Sequence, residues 1–308
     1  MDSVIIDIAY DNPDGSHAGL EVLTFEELKP RLRGAVTRRP SRLDFHQLML
    51  VRDGEGTAMV DFADYECAPG TLLHLRPGQV QRLPYDAVGR PANLDAVLLL
   101  FTPDFPPPPL LPVAGAVLDG FGPVAWSLPP DCFGAFDRAV LELVAVYQTW
   151  RGAPIAPAAG LDLTGALLRQ LLGALVLRMA GLSDPVTAGL SDPAVDRDMP
   201  APIAEVYLAF RRELERSFAA TRSVETYAAR LGYAARTLTR ACQAATGRTA
   251  KQLVDARVIL QAQRLLAHTD QPISVIAHAL GFTEATNFGK FFARETGLAP
   301  GDFRRAQR

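Results

Sequence analysis

Near its C-terminal end the chain repeats one short pattern at a nearly fixed offset, and this repeat limits the folds open to it more than any other feature. The first copy runs Tyr227-Ala-Ala-Arg-Leu-Gly-Tyr233, Arg236-Thr-Leu-Thr-Arg240 and Ala245-Thr-Gly247. The second runs Ile276-Ala-His-Ala-Leu-Gly-Phe282, Thr286-Asn-Phe-Gly-Lys290 and Glu295-Thr-Gly297. Ala228 matches Ala277 and Gly232 matches Gly281, 49 positions apart; Arg240 matches Lys290 and Gly247 matches Gly297, 50 apart. The second copy therefore holds one more residue in its turn. Each copy reads as a helix-turn-helix. The small Ala lets a second helix cross closely, and the Gly four residues later permits a turn that a side chain would resist. An apolar anchor follows on the second helix, Leu238 in one copy and Phe288 in the other. A lone Ala-x-x-x-Gly ends many core helices. Two copies with matched flanks instead point to two units whose second helices enter DNA major grooves.

The charge distribution agrees with that reading. The 308 residues carry a net charge of −3, which alone argues against nucleic acid. From Ile203 to the end, however, there are 16 Lys and Arg against 9 Asp and Glu, a net of +7, which leaves −10 on the remainder. A basic end on an acidic body is the asymmetry of a DNA-binding domain carried by a sensor. The length suffices for two cores. Cys67, Cys132 and Cys242 are widely spaced with no Cys-x-x-Cys, which suits a reducing compartment and neither a disulfide framework nor a zinc site. The N-terminus lacks the basic start and apolar run of a signal peptide. The apolar stretch Leu161–Ala180 is interrupted by Asp162, Arg169, Gln170 and Arg178, which argues against a membrane span. A cytoplasmic protein is expected.

In chain order, residues 1–40 are ambiguous: Val4–Ile8 reads as a short strand, and Phe25–Leu32 as a strand or a helix. From 41 to 103, apolar runs separated by turns predict β structure. The candidates are Leu43–Val51, Thr57–Phe62, Tyr65–Gly70, Thr71–Leu75 and Asn93–Phe101, with turns at Asp53–Gly56 and Pro77-Gly78. Short strands punctuated by Pro-Gly predict a small antiparallel barrel. Phe105-Pro-Pro-Pro-Pro109 reads as a stiff spacer across its surface, and Trp126 as core. Cys132–Trp150 and Leu161–Ala180 have helical periodicity. Leu182–Ala201, with three prolines and little periodicity, reads as a linker. The domains are therefore placed at 1–181, 203–308 and a linker at 182–202. Glu205–Phe218 is a lead-in helix, Ser223 an N-cap, and Ala234–Thr246 the first recognition helix. With Leu238, Ala241 and Cys242 facing the core, Arg236, Thr239, Arg240 and Gln243 are left for DNA. Arg can pair with guanine through two hydrogen bonds, and Thr and Gln can meet several bases. On the second recognition helix, Thr283–Thr296, Phe288, Phe291 and Phe292 face inward. Glu284, Thr286, Asn287 and Lys290 are its exposed candidates.

The segment Pro272-Ile-Ser-Val-Ile-Ala-His-Ala-Leu-Gly-Phe282, with Phe291-Phe-Ala-Arg-Glu-Thr-Gly-Leu-Ala-Pro300 and Phe303-Arg304-Arg305, resembles the C-terminal domain of the AraC/XylS-type bacterial transcription regulators. Arg42-Leu-Asp-Phe-His46, the Pro69-Gly70 turn and Pro77-Gly-Gln-Val80 resemble the cupin-type sensor half of the same family. The resemblance implies an α+β protein of two domains: a cupin-like antiparallel β-barrel with a helical pair, then an all-α double helix-turn-helix domain. It implies that Lys251–His268, eighteen residues and about 27 Å long, spaces two recognition helices on the scale of one DNA turn, roughly 34 Å. It also implies a dimer interface on the helix within Leu161–Ala180. The partners it implies are double-stranded promoter DNA, RNA polymerase, a small-molecule effector and a second copy of the chain. Ala285 stands where the family commonly has a polar reader, so the second copy is expected mostly to grip phosphates.

Many cupins are metalloenzymes, and the spacing of possible ligands here argues against that alternative. There is no His-x-His; His17, His46 and His74 are isolated along the sequence, and Gln81 stands where many relatives place a His. A catalytic metal needs about three such ligands in fixed geometry. No catalytic residue, metal or cofactor is assigned. His46, His74 and Gln81 are candidate effector contacts in a pocket, the bland reading of both histidines being a satisfied or surface imidazole. An architectural DNA-binding protein without a ligand is the other alternative.

Overall fold

A computed structural model of the chain describes residues 6–12, 19–31, 40–107, 117–118, 123–151, 163–182, 185–186 and 201–307. The fold divides into two compact units, one within Ile6–Ser191 and one within Asp192–Arg308.

The first unit is built on two sheets. One has five strands in the order β1-β3-β8-β5-β6: β1 is Ile6–Ile8, β3 Ser41–Leu43, β5 Gly56–Val60, β6 Ala63–Cys67 and β8 Val80–Tyr85. The other has six in the order β11-β10-β7-β4-β9-β2: β2 is Leu20–Thr24, β4 His46–Gly54, β7 Thr71–Leu75, β9 Leu94–Phe101, β10 Ala125–Ser127 and β11 Pro185–Val186. Helix α1, Phe25–Arg31, follows β2, and Phe25 and Leu28 are buried. Residues Met49, Val51, Leu73, Leu75, Leu98 and Leu100 on one face of the six-stranded sheet form a core with Leu43, Val60 and Leu83 of the other sheet. The alternate residues Leu48, Leu50, Leu72, Leu99 and Phe101 face the opposite way and pack against two helices, α2, Pro130–Arg151, and α3, Leu163–Ala180. Strands β4, β7 and β9 lack the alternation of a half-exposed strand because both of their faces are covered.

The expected β region holds, with differences of detail. Leu43–Val51 is two strands, β3 and β4, broken at Asp44-Phe45. Strand β8 carries Pro84, which removes a ladder donor and masks the strand in sequence. Pro84 is tolerated because the β5–β8 register shifts between Thr57 and Met59, where the ladder is irregular. One pairing, β1 with β3, is parallel. These strands are joined through β2 and α1 rather than a hairpin, so no turn imposes an antiparallel return. Phe105 is not a surface spacer but buried in the helix-side core, where Trp126 also sits; Pro108 and Pro109 lie outside the described residues. The linker reading is corrected at Pro185–Val186, which pair with Trp126 and Ala125. Most of the remaining linker lies outside the described residues.

Where β4, β7 and β9 meet, two histidines isolated in sequence come together. His46 Nδ1 and His74 Nε2 are 3.1 Å apart, and the His46 ring stacks on Phe101 with centroids 4.9 Å apart. Beside them Arg76 is buried, donating from Nε and Nη2 to the Val117 carbonyl and from Nη2 to the Pro123 carbonyl at 2.7 Å. Burial, then the Arg76 charge, holds the His46 imidazole down at about 3. Burial, Arg76 and His46 hold His74 well below the usual histidine value.

The second unit is helical: α4, Ala201–Ser217; α5, Val224–Leu231; α6, Ala235–Thr246; α7, Ala250–His268; α8, Ile273–Ala279; α9, Ala285–Thr296; and α10, Pro300–Ala306. Ser223 caps α5 by accepting from the Thr226 amide, and Thr249 with Gln252 forms a capping box on α7. Gly232 at φ 72° and Gly281 at φ 75° make the two turns, and Gly247 and Gly297 end the two second helices in the same left-handed conformation. Two residues separate Gly232 from Ala234, the N-cap of α6, and three separate Gly281 from Glu284, the N-cap of α9, counting each N-cap itself. The extra residue inferred from the repeat is thus in the turn. Ala228 and Ala277 are both buried.

Two outcomes are expected. Gly232→Ala should cost about 1 kcal/mol, from left-handed backbone strain alone, since nothing lies within 4 Å of an added Cβ. Gly281→Ala should cost more, because its Cβ would sit 2.7 Å from the Ala219 carbonyl oxygen; urea unfolding of the two variants gives the order. The second concerns acid. Neutral buried histidines bind fewer protons than the unfolded chain at pH between their folded values and about 6.5. Stability is therefore full above about pH 6.5 and is lost as pH falls through the window towards 3 for His46, by up to about 1.4 kcal/mol per pH unit per histidine. His46→Gln should flatten that slope in melts of the full chain.

Candidate nucleic-acid interface

Burial of one face of each recognition helix decides what the other face presents. On α6, Leu238, Ala241, Cys242 and Ala245 are buried. Arg236, Arg240 and Gln243 are exposed at positions i, i+4 and i+7, and Thr239 is half-buried beside them. These three therefore share one outward stripe. On α9, Phe288, Phe291 and Phe292 are buried, and Glu284, Thr286, Asn287 and Lys290 are exposed. The helix is held by rings. Phe288 meets Phe282 at 5.3 Å and Phe292 at 5.8 Å, and Phe292 meets Phe303 of α10 at 5.4 Å. Ala285 is the first residue of α9 and half-buried, as Ala235 is in α6. The two copies are alike at this position, so it does not distinguish them.

The cations of this unit divide by what they touch. Arg230 ion-pairs with Glu213 at 2.9 Å, and Arg257 with Glu215 at 3.0 Å while lying 3.8 Å over the Phe218 ring. These bind α4 to α5 and to α7. Arg304 donates to the carbonyls of Leu266 and Gln271, holding α10 to the end of α7. By contrast, Arg236, Arg240 and Lys290 make no ion pair among the described residues. Free cations on exposed helix faces are available to phosphates and base edges without breaking the fold.

Sequence reasoning missed one feature beside α9. A cavity of about 450 Å³ is lined by Arg222, Lys251, Lys290 and Arg294, with Asn287 and the Phe282 and Phe291 rings. Partial burial lowers the Arg222 pKa, Asp255 opposes that and Arg294 adds to it. Of its polar lining, only Lys290 and Asn287 are site candidates from sequence, since Arg222 and Lys251 belong to neither repeat. In the N-terminal unit, the three candidate effector contacts do not form one site. His46 and His74 lie on the helix-facing side of the six-stranded sheet, opposite Phe101 and Leu48. Gln81 pairs across the strands with Val60 and faces the core between the sheets, where Gln47 Nε2 approaches its Oε1 to 3.5 Å. Among the described residues, no three His, Cys, Asp or Glu side chains come together as a metal site.

Comparison with known proteins places both halves. Residues 227–306 match the family described as a helix-turn-helix domain, and residues 30–92 match the AraC-like ligand binding domain. The HTH-type transcriptional activators RhaS of Escherichia fergusonii and of an Enterobacter species are each 33% identical over 94 residues, 30% of this chain and 34% of theirs. The chain thus covers about a third of the length of these curated relatives. The DNA-binding domain of AdpA, a global transcriptional factor solved with a target DNA, is 34% identical over 35% of this chain and 93% of that one, at a TM-score of 0.30. ToxT from Vibrio cholerae covers 93% of this chain and 97% of its own at 11% identity and a TM-score of 0.39. With an AraC-like ligand binding domain matched ahead of a helix-turn-helix domain, both halves of the chain are similar to those of AraC-type regulators.

Proposed function

We propose that the protein is a cytoplasmic, sequence-specific DNA-binding transcription regulator controlled by a small molecule. The observation that carries this is the pair of helix-turn-helix units with free cations on their outward faces. Helix α7 joins them; its 19 residues extend about 28 Å, near the roughly 34 Å of one DNA turn. Arg236, Arg240, Thr239 and Gln243 would read one major groove of promoter DNA. Lys290, Asn287 and Thr286 would hold the next, mainly through phosphates, with Glu284 at the N-cap of α9. Activation is the mode in the name of the RhaS relatives, and RNA polymerase would be the partner such a mode requires.

The effector would bind the N-terminal unit. Gln47 and Gln81 offer inward-facing amides between the sheets. An effector reaching His46 and His74 would have to part the sheet from α2 and α3. Whatever its chemistry, it controls DNA binding only by favouring one arrangement of the protein over another. Dimerisation is assigned to α3. By length and composition this helix is apolar enough to cross a membrane, but Leu168, Leu172, Leu175, Val176 and Met179 bury against the sheet and α2. Its other face exposes Leu163, Leu167, Ala174 and Leu177 at helical spacing, with Leu163 72% exposed. An unpaired apolar stripe of this kind marks an association surface.

Capture of fragmented genomic DNA by the full-length protein tests the function. Enrichment of a few upstream sites, lost in a folded Arg240→Ala/Lys290→Ala variant, is expected; an enrichment that survives in the variant sinks the assignment. In titrations, Arg240→Ala should cost about 1–3 kcal/mol and relax specificity at one base pair. Lys290→Ala should weaken all sequences alike and flatten the salt dependence. Sedimentation equilibrium should show a dimer at micromolar concentration that Leu167→Asp/Leu177→Asp converts to monomer; a monomeric wild type, with and without DNA, removes the α3 interface.

A further inference from the structure

The cavity beside α9 gathers charge that the two-motif reading does not require. Three elements build it: the loop before α5 supplies Arg222, the first turn of α7 supplies Lys251, and α9 supplies Lys290 and Arg294. The Arg222 guanidinium lies 3.5 Å over the Phe282 ring centroid and 5.6 Å from that of Phe291. Stacking fixes the guanidinium plane while its N–H edge donates to no protein group among the described residues. Lys290 is likewise without an ion pair among them. Lys251 and Arg294 share one carboxylate: Asp255 pairs with Lys251 and stands 3.7 Å from Arg294, which also reaches Glu295 at 2.6 Å. Four cations thus face two carboxylates around one opening, an excess of two positive charges over an aromatic floor. Like charges so arranged repel unless an anion sits among them.

We infer that this cavity binds a phosphate group. A planar guanidinium held flat by stacking presents a fork matched to two oxygens of a tetrahedral oxyanion. Lys251, Lys290 and Arg294 supply the remaining charge, and the Asn287 amide supplies a neutral donor. The excess of two charges suits a phosphate monoester, which carries about −1.5 to −2 at neutral pH, or successive singly charged phosphodiesters of a strand passing the opening. Two sources offer this chemistry. One is a backbone phosphodiester of DNA lying along α9, which rests on the function proposed above. The other is a free phosphate or phosphorylated small molecule, which does not, and which would compete with DNA for Lys290 and Asn287.

Calorimetric titration of the full chain with inorganic phosphate, run beside the salt dependence of DNA binding, separates the two. The variants are Arg222→Gln, Arg222→Lys and Lys251→Gln, with thermal melting to confirm that each folds. If one of them melts early, the others still decide. Free phosphate should bind the wild type and bind Arg222→Gln at least tenfold more weakly, with Arg222→Lys between them because it keeps the charge and loses the fork. For DNA, Arg222→Gln should lower the slope of log affinity against log salt by about 0.9, the loss of one phosphate contact. Both changes together mean that the site takes either source and that free phosphate competes with DNA. Phosphate binding with an unchanged DNA slope assigns the site to a free anion; a changed slope without phosphate binding assigns it to the DNA backbone. Variants that melt as the wild type and alter neither overturn the proposal. A wild type that binds no DNA defeats the regulator reading, and the phosphate titration then decides the cavity alone.

Discussion

Anchoring of the second helix of each helix-turn-helix by one apolar face is the constraint on which the rest of the helical unit depends. Phe288 packs edge-on to Phe282 and, with Phe292 and Phe303, fixes the rotation of α9 about its own axis. Leu238, Ala241 and Cys242 do the same for α6. Once that rotation is set, the 3.6-residue period leaves Arg236, Arg240 and Gln243, or Asn287 and Lys290, on the outside. The small buried Ala and the left-handed Gly of each first helix serve the same end, since they allow the close crossing that puts the second helix on the surface.

The two copies reach a similar surface by different means. In the first, both outward arginines belong to the recognition helix itself. In the second, the outward helix face carries Lys290 and Arg294, the latter paired with Glu295, beside Glu284, and further positive charge comes from neighbours: Arg222, placed by stacking on the same aromatic cluster, and Lys251, at the start of the connecting helix. The rings that anchor α9 therefore also shape the charge beside it. Under the proposed function, this division would weight base reading to the first copy and backbone contact to the second.

The N-terminal unit solves a different problem. Its six-stranded sheet is covered on both faces, by the second sheet on one and by α2 and α3 on the other. Polar groups within such a sheet have to find partners inside it. His46 and His74 meet each other, Arg76 is satisfied by loop carbonyls, and Gln47 meets Gln81. The neutral histidine pair ties the unit's stability to pH, because protonating either would bury a charge and set it beside Arg76.

The doubled motif was legible in sequence because helix-turn-helix geometry is local: Ser223, Ala228, Gly232 and the inward-facing Leu238 act within one copy, and Ala277, Gly281 and Phe288 within the other. The apolar runs Thr71–Leu75 and Leu94–Phe101 likewise announced strands. Strand β8 was hidden by Pro84, and β2 by running straight into α1 with no turn residue between them. Which residues meet across the sheet was a matter of register alone. Sequence separation hid the contact of His46 with His74, and strand alternation put Gln81 on the other face from both. The basic cavity was likewise decided in three dimensions, since Arg222, Lys251 and Arg294 come from three elements and share no spacing. Sequence by itself determined the local units and the faces they bury, because those follow from backbone preference and periodicity. Tertiary structure decided which of the exposed and buried polar groups stand together, because that depends on how distant segments pack.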